Sequence, residues 1–81
     1  MTQQEIQSKV NAFMADRLEY EPDMLNPETE LKRDLGMTSL DAVELAIFIK
    51  RTFGFQPERN AVKTLLTLQD LCDYIAKNTD K

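Results

Sequence analysis

The sequence has 81 residues, 42% hydrophobic and 30% charged, with two Gly and three Pro; this fits one small folded domain over residues 1–81 and argues against disorder or a many-turned β-sandwich. With no His and a single Cys, it cannot build a Ser-His-Asp or Cys-His catalytic centre, a His-based or four-cysteine zinc site, or an internal disulfide. A net charge of −4 and a pI near 4.7 repel phosphate backbones, so nucleic acid is not an expected partner.

The N-terminus, Met1-Thr2-Gln3-Gln4-Glu5, has neither a basic stretch nor an apolar signal core, and the expected location is the cytoplasm. Thr2, with Glu5 three residues on, makes a capping box. Ile6, Val10, Phe13, Met14 and Leu18 follow at helical spacing, which predicts a first helix from about residue 3 to 18.

From Tyr20 to Thr38 the periodicity dissolves, because Pro22 and Pro27 stop helix continuation and Asn26-Pro27 signals a turn. Residues 19–30 hold Glu19, Glu21, Asp23, Glu28 and Glu30 but no Lys or Arg, a local charge of −5 that leaves +1 for the rest of the chain. Such an acidic run is more often a solvated face than a metal site. An EF-hand opening at Asp23 fails, since Leu25, Pro27 and Asp34 fall at ligand positions, and no metal is expected. Met24, Leu25, Leu31, Leu35 and Met37 give the connection apolar anchors, so it is expected to lie pinned across the bundle. Loops of this length are often functional.

Gly36 permits a tight turn, and Thr38 with Asp41 repeats the cap pattern ahead of a second helix, 39–53, that closes at Gly54. Asp41 and Glu44 place negative charge at its positive end. Ala42, Leu45, Ala46, Ile49 and Phe53 form one apolar stripe on this helix, and Leu40, Val43 and Ile47 form another. A helix of that kind is either buried on two sides or presents one stripe to a partner. Asp41 and Glu44 at one end of the second stripe, and Lys50 and Arg51 at the other, give it the charged rim of a recognition surface. Pro57 suits the start of a short third helix, 58–64, and Thr67 with Asp70 opens a fourth, 68–77, with Leu68, Leu71, Cys72 and Ile75 inside. The longest apolar run, Leu45 to Ile49, is far short of the roughly 20 residues a bilayer requires, so no membrane insertion is expected. The predicted fold is all-α, a small up-down four-helix bundle with a long first loop and a short third helix.

Ser39 is singular. A hydroxyl just after a Gly-containing turn, at the positive end of a helix, is well placed to carry a phosphate ester, because free N–H groups and the dipole stabilise the anion. On position alone, a plain N-cap role explains it more simply. The string Asp34-Leu35-Gly36-Met37-Thr38-Ser39-Leu40-Asp41, continued by Val43-Glu44-Leu45 and by Phe53-Gly54-Phe55, resembles the acyl carrier protein family, whose signature is D-x-G-x-D-S-L-D at the start of the second helix. The resemblance extends over nearly the whole chain, including Pro27-Glu28-Thr29 in the loop and the closing Asp73-Tyr74-Ile75.

That resemblance implies that Ser39 is the attachment point for 4′-phosphopantetheine, transferred from coenzyme A by a phosphopantetheinyl transferase. The arm's thiol would then carry acyl groups as thioesters to acyl-loading and acyl-processing enzymes of fatty-acid, polyketide or related biosynthesis. It also implies that Leu40, Asp41, Val43, Glu44 and Ile47 form the face partners read, and that inner residues such as Leu45, Ile49 and Phe53 surround a bound acyl chain. Phe13, Phe48 and Phe53 are bulky and point to a small interior. Cys72, on an inner face, is expected to be a buried hydrophobe and not a reactive thiol.

The sequence departs from the pattern twice. Thr38 stands where the family usually has Asp, and Lys50-Arg51 stand where the fatty-acid carriers continue their acidic surface. Basic partners should grip that end poorly, which favours a specialised carrier over a housekeeping one. The expectation is therefore a monomeric, non-catalytic carrier. The alternatives are an aminoacyl or peptidyl carrier, or an unmodified helical adaptor that binds proteins through the same stripe.

Overall fold

A computed structural model of the chain describes residues 2–58 and 60–79. Four helices follow one another: α1 (Gln3–Asp16), α2 (Ser39–Phe53), α3 (Ala61–Thr64) and α4 (Leu68–Thr79), with a 3-10 turn at Pro22–Met24 between the first two. The described residues contain no strand beyond an isolated antiparallel bridge between Glu30 and Thr67. The class is all-helical, but the packing is carried by three helices of 14, 15 and 12 residues, while α3 is one turn of 4. Pro57 is buried and does not open α3; Asn60 precedes the first helical residue, and Leu65 is already extended at φ −74°, ψ 132°. Only one turn fits between them. Arg59, inside the span expected for that helix, lies outside the described residues.

The three long helices begin alike. The Thr2 hydroxyl accepts the Glu5 N–H at 3.1 Å and the Thr67 hydroxyl accepts the Asp70 N–H at 3.1 Å, with the acidic side chain returning to the threonine amide in each case. Each box satisfies amides that the helix itself leaves without acceptors. α1 stops two residues earlier than its apolar spacing suggests. Arg17 caps it, Glu19 adopts a left-handed φ of 60°, and the Tyr20 N–H then donates to the Met14 carbonyl at 3.1 Å. Leu18 still packs against the core from outside the helix.

Each long helix contributes one stripe to a single core: Ile6, Val10 and Met14 from α1, Ala42, Leu45 and Ile49 from α2, and Leu68, Leu71, Cys72 and Ile75 from α4. α1 packs chiefly on α4, whereas α2 lies against α3 and α4. Leu25 and Leu31 bring the long connection into the same core. Its backbone is held as firmly as its side chains. The Leu31 N–H donates to the Leu66 carbonyl, Leu68 N–H to Thr29 O, and Gln69 N–H to Pro27 O, at 2.9–3.0 Å. Thr29, a buried polar residue, accepts the Asn26 N–H through its hydroxyl and donates to the Met24 carbonyl. The connection is thus clamped to the start of α4, and the chain is delivered to α2 along a fixed path.

Candidate functional site

The last step of that path is a compact turn. Asp34 accepts the Glu30 N–H at 2.8 Å through its carboxylate, the Gly36 N–H donates to Lys32 O at 3.1 Å, and the Met37 N–H donates to Leu31 O at 3.0 Å. Gly36 has a φ of 66°, a left-handed conformation that a side chain would strain. Thr38 then leaves the turn extended, at φ −96° and ψ 173°, and becomes the N-cap of α2. Its hydroxyl accepts the Asp41 N–H at 3.3 Å, and Asp41 Oδ2 accepts the Thr38 N–H at 3.2 Å. The N-cap role therefore belongs to Thr38, and Ser39 is the first helical residue. The extended backbone of Thr38 aims its own hydroxyl, not that of Ser39, at the Asp41 amide.

This division leaves two neighbouring hydroxyls in opposite conditions. Thr38 is committed to the cap, while the Ser39 side chain is exposed and has no hydrogen-bond partner among the described residues. The Ser39 and Leu40 N–H groups likewise find no acceptor there, since the Asp41 and Ala42 N–H groups take the Thr38 hydroxyl and carbonyl. A small recess of about 90 Å³ beside Ser39 is walled by Leu31, Met37 and Leu65 and by one cation, Lys32. A free hydroxyl and two unpartnered amides at a positive helix end, beside a recess that Lys32 helps line, fit a phosphodiester attached at this position.

Beyond the first turn α2 shows its two stripes to different surroundings. Leu45 and Ile49 are fully buried, whereas Leu40, Val43 and Ile47 are 70%, 53% and 48% exposed. Glu44, Lys50 and Arg51 are exposed around them. A groove of about 300 Å³ runs beside this ridge toward α3, lined by Val43, Ala46, Ile47, Lys50, Pro57 and Val62 among others, and it shares Ala42 and Val62 with the recess at Ser39. A second groove of about 310 Å³ lies toward α1, between Arg17, Glu44, Ile47 and Arg51, over Phe13 and Phe48. Those two rings are stacked with centroids 4.3 Å apart, and Phe53 meets Phe48 edge-on at 5.8 Å, so the aromatic side chains fill the α1–α2 seam.

Asp41 is less free than its position suggests. Tyr20, from the long connection, donates its phenol proton to Asp41 Oδ2 at 2.9 Å. Burial, then the hydrogen bond and charge of Asp41, push this phenol up to about 12. Tyr20 escapes a sequence reading because the contact spans 21 residues and sits among acidic neighbours that advertise only solvent. Lys32 escapes it because only the folded turn brings it to Ser39. Cys72 is buried, and burial followed by the neighbouring Asp73 pushes its thiol up to about 11, which keeps it protonated and unreactive. Among the described residues no three acidic or sulfur side chains gather to hold a metal ion, and no helix is long and apolar enough to cross a membrane.

Comparison with known proteins meets this geometry. Residues 8–75 match the family described as a phosphopantetheine attachment site. The chain is 39% identical to an acyl carrier protein of Thermosynechococcus vestitus over 75 residues, which cover 93% of each chain. It is 35% identical to one from onion yellows phytoplasma, over 88% of this chain and 93% of that one. It is 32% identical to one from Cyanidioschyzon merolae, over 96% and 86%. On a match that spans most of its length, the chain belongs to the acyl carrier protein family, which carries acyl groups as thioesters on a covalently attached 4′-phosphopantetheine.

Proposed function

We propose that Ser39 bears the arm. The carrying observation is the contrast at the start of α2: Thr38 spends its hydroxyl on the cap, and Ser39, one residue on, keeps a free, exposed hydroxyl under two unpartnered N–H groups. In loading, Ser39 exchanges its Oγ–H bond for an Oγ–P bond, the remainder of coenzyme A leaves as 3′,5′-ADP, and the proton passes to solvent or to the transferase. The new anion then lies at the positive end of α2, at the recess that Lys32 helps line. When bound, the arm supplies the thiol that this chain otherwise lacks, since Cys72 is buried and protonated.

Thr38 in place of the usual Asp is compatible with this role, because threonine caps a helix nearly as well as aspartate and removes only a charge. The exposed stripe Leu40, Val43 and Ile47, with Asp41, Glu44, Lys50 and Arg51 around it, is the surface offered to a phosphopantetheinyl transferase and to acyl-loading and acyl-processing enzymes. Asp41 and Arg51 are ten residues apart on one helix, about 15 Å at 1.5 Å per residue, and the Debye length is about 8 Å at physiological ionic strength. A partner therefore reads the two ends separately, as acid near the arm and base away from it. That pattern supports a specialised carrier over one that serves uniformly basic enzymes. The chain acts as a monomeric cytoplasmic carrier and leaves catalysis to its partners. An unmodified adaptor or an aminoacyl carrier is less well supported, because the family match is to an attachment site and the similar chains are acyl carrier proteins.

Intact mass after incubation with coenzyme A and a broad-specificity transferase tests this directly. The parent is expected to gain the mass of one arm and Ser39→Ala none. Gain by Ser39→Ala, or loss of gain only on replacing Thr38, would move the site.

A further inference from the structure

The three threonine capping boxes provide an internal control. Among the described residues, the acidic member at α1 and α4 bonds only to its own threonine. Among the same residues, only at α2, next to Ser39, does the acid also accept a proton from a distant segment: Asp41 Oδ2 takes both the Thr38 N–H and the Tyr20 O–H. The Tyr20 bond to Asp41 Oδ2 is thus surplus to what capping requires. The ring comes from the turn that ends α1, where Glu19 adopts a left-handed φ of 60° and the Tyr20 N–H donates to the Met14 carbonyl. From there the Tyr20 phenol reaches the first turn of α2. The phenol stays a proton donor throughout the physiological range, since its deprotonation is pushed up to about 12.

We propose that Tyr20 is a positioning residue for recognition of the carrier: it holds Oδ2 of Asp41 inward, on the phenol and the Thr38 amide, so that the carboxylate meets the transferase in one fixed orientation with Oδ1 outward. The inference rests on the reading that Ser39 carries the arm and that partners read Asp41. It assigns Tyr20 no contact with the reacting atoms. Fixing a charged acceptor before encounter lowers the ordering cost of binding, and its loss weakens association without touching the serine.

The test is Tyr20→Phe, which removes one oxygen and keeps the ring. Transfer from coenzyme A by a broad-specificity transferase is measured over a range of carrier concentrations, with Ser39→Ala as the blank. The expected result is a KM for the carrier raised roughly three- to tenfold, the scale of one partly solvated hydrogen bond to a charged group, with kcat unchanged. In the same variant the NMR signals of the Thr38 amide and the Asp41 side-chain carboxyl carbon shift, while core amides of α2 such as Leu45 and Ile49 keep their exchange protection. An unchanged KM on a parent that loads normally would overturn the role of Tyr20 alone. So would a fall in kcat accompanied by lost protection at Leu45 and Ile49, which would mark a merely structural residue. If the parent itself gains no arm, the Ser39 reading fails, and the positioning role falls with it.

Discussion

The two faces of α2 are built from the same kinds of residue and have opposite fates. Leu45 and Ile49 are sealed in the core, whereas Leu40, Val43 and Ile47, interleaved with them along one helix, stand in solvent. Hydropathy does not distinguish the faces. What does is the arrangement of α1, α3 and α4, which cover one side and stop short of the other. A fully buried aliphatic side chain contributes about 1.5–3 kcal/mol to folding, and a half-exposed one returns only part of that. The outer stripe is therefore of little use to the isolated fold. It would gain full burial only under a partner, which is the role proposed for it above.

The largest effect should come from cutting into the inner face. Leu45→Ala removes a fully buried side chain at the meeting of α2 with the rest of the core and should destabilise the protein by about 2–5 kcal/mol in urea or thermal unfolding. Such a loss is a large fraction of the stability of so small a domain. A cost below about 0.5 kcal/mol would mean that the two faces are not distinct in solution and that α2 can rotate to replace one stripe with the other.

How much of this contrast the sequence foreshadows depends on which contacts are local. The stripes, the three capping boxes, the Gly54 cap and the isolated Ser39 are all readable, because each depends on residues within about one turn of one another. The fate of the second stripe is not, since exposure is settled by neighbours far along the chain. The end of α1 is missed because Glu19 takes a left-handed conformation with no glycine to announce it. The reduction of α3 to a turn is missed because Pro57, a good helix opener, is instead buried. The clamp between the long connection and α4 uses main-chain groups of Thr29, Leu31 and Leu68, which carry no side-chain signature. Tyr20 combines these difficulties: it is a distant donor in an acidic loop, and only the folded chain brings it to Asp41.

A smaller effect separates core from first turn by titration. Cys72 and Tyr20 both have protonation equilibria raised by folding, from 9.0 to about 11 and from 10.0 to about 12. Folding thus favours the neutral form of each. The stability contributed is fully present below the unfolded value and is lost as pH rises through the folded one. Unfolding free energy measured from pH 8 to 12 should fall first between about 9 and 11, from Cys72, and then between about 10 and 12, from Tyr20. Tyr20→Phe should flatten the upper part of that descent and leave the lower part intact. Equal descent in the variant would mean that the phenol is no more sheltered than a free tyrosine.

The smallest effect on stability is expected where the functional stake is highest. Ile47 is 48% exposed and lines both grooves that flank the outer ridge, so Ile47→Ala uncovers no cavity in the core and should change unfolding free energy by no more than about 0.5 kcal/mol. The same change removes the apolar anchor midway between the acidic and basic ends of the ridge. Transfer of the arm onto Ser39, or of an acyl group by an enzyme that docks there, should slow at limiting carrier concentration although the fold is intact. A loss of 1 kcal/mol or more with unaltered transfer would assign the outer stripe to the fold after all. Weakened transfer at full stability would mean that α2 divides its two faces between holding the molecule together and being read, and that the division is made by which neighbours are absent.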